Sequence, residues 1–178
     1  MELDLADTNI NLIRDDPRLK TVLRFLERIG VEVIERELLH TTFLPGLDLG
    51  PGCIYVDYGR LKYPGDMVHE AGHLAVTPSS QRALIGSAEQ DKDWPPQGEE
   101  IAAILWSFAA ARELDLPLDF VFHGDGYKDD SAWLIDTFES GNYIGLPFLE
   151  WAGLSLGAVR AEKEGREAFP KMVRWMRE

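Results

Sequence analysis

Gly65-Asp66-Met67-Val68-His69-Glu70-Ala71-Gly72-His73-Leu74-Ala75-Val76-Thr77-Pro78 is the stretch on which the reading of the chain turns. Residues 66–76 are rich in helix formers. Gly65 and Asp66 can supply the N-cap, Asp66 suits the positive end of the helix dipole, and Thr77-Pro78 stops the run. Met67, Val68, Ala71, Leu74 and Ala75 give an apolar surface that anchors the helix in a core. His69 and His73 stand four apart, so they project from one face, a turn from each other. Two imidazoles so placed reach a single Zn²⁺ at about 2.0–2.1 Å. Glu70 lies between them, placed to take a proton from a water on that metal. Gly72 is out of character, because glycine inside a helix costs about 1 kcal/mol relative to alanine. Two compatible readings account for it: tight packing against a neighbouring helix, or close approach of the element that carries a third ligand.

A catalytic zinc keeps three protein ligands and one open position. Downstream lies Gln97-Gly98-Glu99-Glu100-Ile101-Ala102-Ala103-Ile104-Leu105-Trp106-Ser107-Phe108-Ala109-Ala110-Ala111-Arg112, with Pro95-Pro96 before it and Leu116-Pro117 after. Its alanines and its first-turn acids predict a helix, buried because it is almost wholly apolar after Glu100. Of the two adjacent acids, Glu100 is favoured as the ligand and Glu99 as a solvated acid. An attacked carbonyl would also need a hydrogen-bond donor for its developing oxyanion. His123 and Tyr127, in Phe122-His123-Gly124-Asp125-Gly126-Tyr127, are the candidates, although a plain surface turn explains the segment as well. His40 reads as a capping or packing histidine, and Cys53 as a buried apolar cysteine. Trp94, Trp106, Trp133 and Trp151 read as core or interface residues.

The HEAGH helix, an intervening loop, then Glu100-Ile101-Ala102-Ala103-Ile104-Leu105-Trp106 resembles the ImmA/IrrE-like zinc metallopeptidases, a gluzincin-type group. The likeness runs over residues 15–117. It implies a Zn²⁺ held by His69, His73 and Glu100, Glu70 as general base, and a peptide or protein as substrate. Some features depart from the family pattern. The usual Leu-Leu-Met-Pro ending is replaced by Arg112-Glu113-Leu114-Asp115-Leu116-Pro117, and the asparagine often found after the glutamate ligand is missing. No aspartate follows Glu100 by four residues, so the outer-shell arrangement of thermolysin-like enzymes does not carry over.

The rest of the chain sets the frame. Its 178 residues suit one domain spanning residues 1–178. A net charge of −13 disfavours nucleic acid and anionic membranes as partners. The first residues carry no signal-peptide pattern, no apolar run is long enough to span a bilayer, and a single cysteine forms no internal disulfide. These features predict a cytoplasmic protein. The predicted class is α+β, mainly helical, with a small antiparallel sheet in the N-terminal half. Residues 1–13 read as loosely held. A helix opens at Asp15-Asp16-Pro17, buries Leu19, Val22, Leu23, Leu26 and Ile29, and closes at Gly30. Val31-Glu32-Val33-Ile34 reads as a strand, residues 43–52 as a loop, and residues 53–58 as a candidate edge strand. That strand either pairs in a sheet or receives an extended peptide. Residues 79–98 form an acidic connection, a lid or a mobile loop. Residues 118–178 form a helical extension, with helices at 131–138, 147–152 and 171–177. Three functions fit this reading: a zinc peptidase, a hydrolase of non-peptide amides, and a non-catalytic module stabilised by zinc.

Overall fold

Two helices lying against one another form the centre of the protein, a computed structural model of which describes residues 5–178. The first, α3, runs Asp66–Val76, over the residues that the sequence pattern predicts. The second, α5, runs Gln97–Glu113 and buries almost every side chain from Ala102 to Ala111. Gly72 explains how they meet. A Cβ at this position would lie 2.7 Å from the Ala103 carbonyl oxygen, so only glycine lets the two backbones approach this closely. Gly65 does the same at the start of α3, where a Cβ would fall 1.7 Å from the Phe120 carbonyl oxygen.

The other elements pack around this pair. Helix α1 (Leu5–Arg14) precedes α2 (Pro17–Ile29), which is capped by the Asp16 side chain and closed by Gly30 in the left-handed conformation. Three short strands follow: β1 (Glu32–Glu35), β2 (Leu47–Gly50) and β3 (Cys53–Val56). A single turn, α4 (Ser79–Arg82), leads into the connection to α5. Beyond α5 come α6 (Leu118–Val121), α7 (Ser131–Glu139), α8 (Leu146–Trp151) and α9 (Ala158–Glu164). The class is α+β. Among the described residues, no helix is long and apolar enough to cross a membrane.

The structure corrects several expectations. The sheet is mixed, not antiparallel: β3 is its centre, antiparallel to β2 and parallel to β1. The reason is the tight turn at Pro51-Gly52, with Gly52 at φ +66°, which folds residues 47–56 into a hairpin and turns β3 back along β1. Part of the predicted 43–52 loop is therefore strand β2, and β3 has no free edge for a peptide. Residues 5–13, expected to be loose, belong to α1, whose Ile13 packs on the core. Residues 1–4 of that expectation lie outside the described residues. Residues 171–177 form no helix. Met172 bridges Ser155, and the Val173 N–H donates to the Leu154 carbonyl at 2.8 Å, so this segment lies as an extended strap against its neighbours.

The α3–α5 seam gives a direct test. Alanine favours an exposed helix over glycine by about 1 kcal/mol. Overpacking at Gly72 has the opposite sign, so Gly72→Ala is expected to lower the unfolding free energy by about 1–3 kcal/mol. Urea unfolding measures it, and a variant as stable as the parent protein would contradict the packing described.

Candidate metal centre

Every residue of α3 except Glu70 is buried, so the helix leaves the cleft only the edge of its two histidines and one carboxylate. His69, Glu70 and His73 each offer a ligand atom, all within 4.8 Å of one another, and this group could hold a metal ion. The two Nε2 atoms are 3.0 Å apart. From α5, Glu100 places one carboxylate oxygen 3.4 Å from the His69 Nε2 and the other 3.2 Å from the His73 Nε2. Ligand atoms at about 2.0–2.2 Å around a tetrahedral ion stand about 3.3–3.5 Å apart. The three donors thus already converge at roughly the spacing that a common ion requires.

Burial governs the charges here. It lowers the His73 pKa to about 4, helped by the neighbouring His69, so this imidazole is neutral at ordinary pH, as a metal ligand must be. Burial also lifts the Glu70 carboxyl from 4.5 to about 7. For His69, burial opposes the charged form, but Glu100, Glu70 and Asp66 outweigh it and raise the pKa. Burial likewise works against an ionised Glu100, yet the two imidazoles overcome it and hold its pKa below the usual value.

The two predicted oxyanion donors fare differently. The Tyr127 ring meets His69 edge-on at 5.4 Å, and its buried hydroxyl has no hydrogen-bond partner among the described residues. Its backbone sits at φ +57°, a conformation that costs a non-glycine residue about 1–3 kcal/mol. His123 is tied down instead. Its Nε2 lies 2.7 Å from an Asp66 carboxylate oxygen, and its ring stacks on Tyr63 at 3.8 Å. Asp66 therefore does not cap its own helix. Placed three residues before His69, it had a sequence signal in its spacing. Trp94, read as core or interface, packs against His73 at 5.8 Å and donates its indole N–H to the Thr77 hydroxyl at 3.1 Å. His40 pairs with Asp48 at 3.1 Å, while Cys53 is buried in β3.

Glu99 overturns an expectation. Rather than a solvated acid, it is buried beside Arg177, 3.4 Å away. The two adjacent glutamates thus turn to opposite uses: one faces the histidines and the other a guanidinium. Nothing in residues 97–112 announces a partner 78 positions along the chain.

Two cavities open beside α3, one against Glu70 and the other against His69. One of about 520 Å³ is polar, with Glu70, Arg36, His40 and Gln90 in its walls. The other, about 430 Å³, opens beside His69 and Glu100 and is mostly apolar, with Ile101, Ile104, Leu134 and Phe138 in its wall. Phe43 and Trp133, 99% and 55% exposed, stand in this second wall. Comparison with protein-family models, with curated proteins and with solved structures finds no match to this chain.

The raised Glu70 pKa makes a stability prediction for the metal-free protein. Unfolding returns the carboxyl to its ordinary value, so between pH about 4.5 and 7 the folded state holds the extra proton. That advantage is lost as pH rises through 7, and ionised Glu70 then opposes folding. Glu70→Gln removes the cost. Its stability gain over the parent should grow from pH about 5 and level off above pH about 7, on the order of 2 kcal/mol. Urea unfolding across this range is the check; a difference that is flat, or that grows toward acid, would contradict it.

Proposed function

We propose that the protein is a zinc-dependent hydrolase that cleaves peptide bonds in a peptide or protein. The observation that carries this reading is the convergence of His69, His73 and Glu100 beside the half-buried Glu70 carboxylate, which lines the cleft. The layout is also the one that resemblance to the ImmA/IrrE-like metallopeptidases implies. Zinc bound by these three residues would polarise a carbonyl and lower the pKa of its water to about 7.

The chain's own groups supply the remaining chemistry. Glu70, between the two histidines and lining the cleft, is placed both to accept a proton from the attacking water and to pass it to the leaving amine. The Tyr127 hydroxyl, its pKa driven well up by burial, keeps its proton and can donate to a developing oxyanion. His123, held by Asp66, is oriented rather than free, and its place in the mechanism is to fix the wall of the cleft near Tyr127. Two cavities, one against Glu70 and the other against His69 and Glu100, leave room for groups on both sides of a scissile bond, which favours a peptide over a small amide. A zinc-stabilised module without catalysis would have no use for a half-buried carboxylate facing the cleft.

Zinc-loaded protein incubated with a peptide library, and the products read by mass spectrometry, tests this function. Glu70→Gln should keep its zinc and lose about 10²–10⁴-fold in cleavage rate. Tyr127→Phe should lose about 10²–10³-fold in kcat with its zinc intact. Cleavage by Glu70→Gln at the parental rate would refute the role of that residue, and no cleavage by zinc-loaded parent protein would refute peptidase activity. The apolar cavity adds an expectation about cut sites: large apolar side chains on one side of the bond. Ile104→Phe narrows the cavity and should move the preference to smaller residues; an unchanged profile would place the substrate elsewhere.

A further inference from the structure

We propose that Arg177 is a positioning residue of the metal centre: it joins the end of α3 to the first turn of α5 and so fixes where Glu100 stands relative to the two histidines. The inference rests on the metal-binding reading above and goes beyond it, because Arg177 touches none of the ligands.

The last turn of α3 leaves its carbonyls without helical partners, at the negative end of the helix dipole. Two arginines meet them. The Arg82 Nε donates to the Leu74 carbonyl at 2.8 Å, and its Nη2 donates to the Thr77 carbonyl at 2.9 Å. The Arg177 N–H donates to the Ala75 carbonyl at 2.8 Å, and its Nη1 donates to the Val76 carbonyl at 3.1 Å. Arg82 also donates to the carbonyl of Arg177, so the two arginines hold each other in place.

The same Nη1 lies 3.4 Å from a Glu99 carboxylate oxygen. Both side chains are largely out of water, 16% exposed for Arg177 and 10% for Glu99. The guanidinium is covered by Trp151, with 4.7 Å between its carbon and the ring centre. Successive residues of a helix point about 100° apart. Anchoring Glu99 therefore sets the rotation of α5 about its axis, and with it the direction of Glu100. One guanidinium thus bridges the helix that carries both histidines and the helix that carries the third donor.

The test is the zinc dissociation constant of the full chain, measured by chelator competition, with the cobalt(II) absorption spectrum as a report on ligand geometry. Parent protein, Arg177→Met, Arg177→Lys and Glu99→Gln are compared at a temperature where circular dichroism shows each metal-free form folded. Arg177→Met and Glu99→Gln should weaken zinc about 10-fold, the low end of the cost of losing a group bonded directly to a ligand, and change the cobalt bands. Arg177→Lys should recover part of the loss, since an ammonium can still reach a carbonyl. A merely structural role would lower the unfolding temperature while leaving the affinity of folded protein unchanged. Zinc affinities within twofold of the parent in the folded variants overturn the proposal. Should Arg177→Met fail to fold, Glu99→Gln, nearly isosteric, decides. A parent protein that binds no zinc overturns the metal centre itself, and this inference with it.

Discussion

The contact between Gly72 and Ala103 is the constraint from which the rest of the site follows. The two backbones meet where a single methyl group would collide with a carbonyl. Because α3 and α5 lie this close, a glutamate from one reaches two imidazoles of the other. Small residues mark the contact itself, Ala71 and Gly72 on α3 and Ala102 and Ala103 on α5, since bulk in the seam would drive His69 and His73 away from Glu100.

Much of this was legible in the sequence, for a physical reason. The pentapeptide His69 to His73 encodes its geometry locally, since helical spacing alone puts both histidines on one face. The same is true of α2, with Pro17 at its start and Gly30 at its end, and of α5, whose alanine-rich run has no other stable use than a buried helix. What escaped the sequence was non-local. Strand β2 has four residues, one of them glycine, too few for a period-2 pattern to stand out from the turns around it. The parallel pairing of β1 with β3 follows from a hairpin between them in the chain. Residues 171–177 have a helical composition, yet they form hydrogen bonds to residues 154 and 155 that outweigh that weak preference. The burial of Glu99 depends on Arg177, and no window of sequence contains both.

The centre departs from what stability alone would select. Glu70 is kept where its charged form is disfavoured, His73 is too buried to take a proton readily, and Tyr127 is held at positive φ with an unpartnered hydroxyl. Ionised Glu70 and the strained Tyr127 cost folding free energy at neutral pH, His73 does so only in acid, and together they surround one point. Such clustering of strain and perturbed acidity is characteristic of sites shaped for a ligand or a reaction rather than for the fold. The well-packed seam and the arginines that close the end of α3 offset these costs.

Whether the three donors share one ion decides what this centre is. A crystal structure of zinc-loaded protein, with anomalous data on both sides of the zinc edge, answers this without a substrate. One zinc is expected, bonded to the Nε2 atoms of His69 and His73 and to a Glu100 carboxylate oxygen at about 2.0–2.2 Å, with a position left open toward Glu70. Zinc bound elsewhere, no zinc at this point, or an ion held with Glu100 turned away would contradict this assignment.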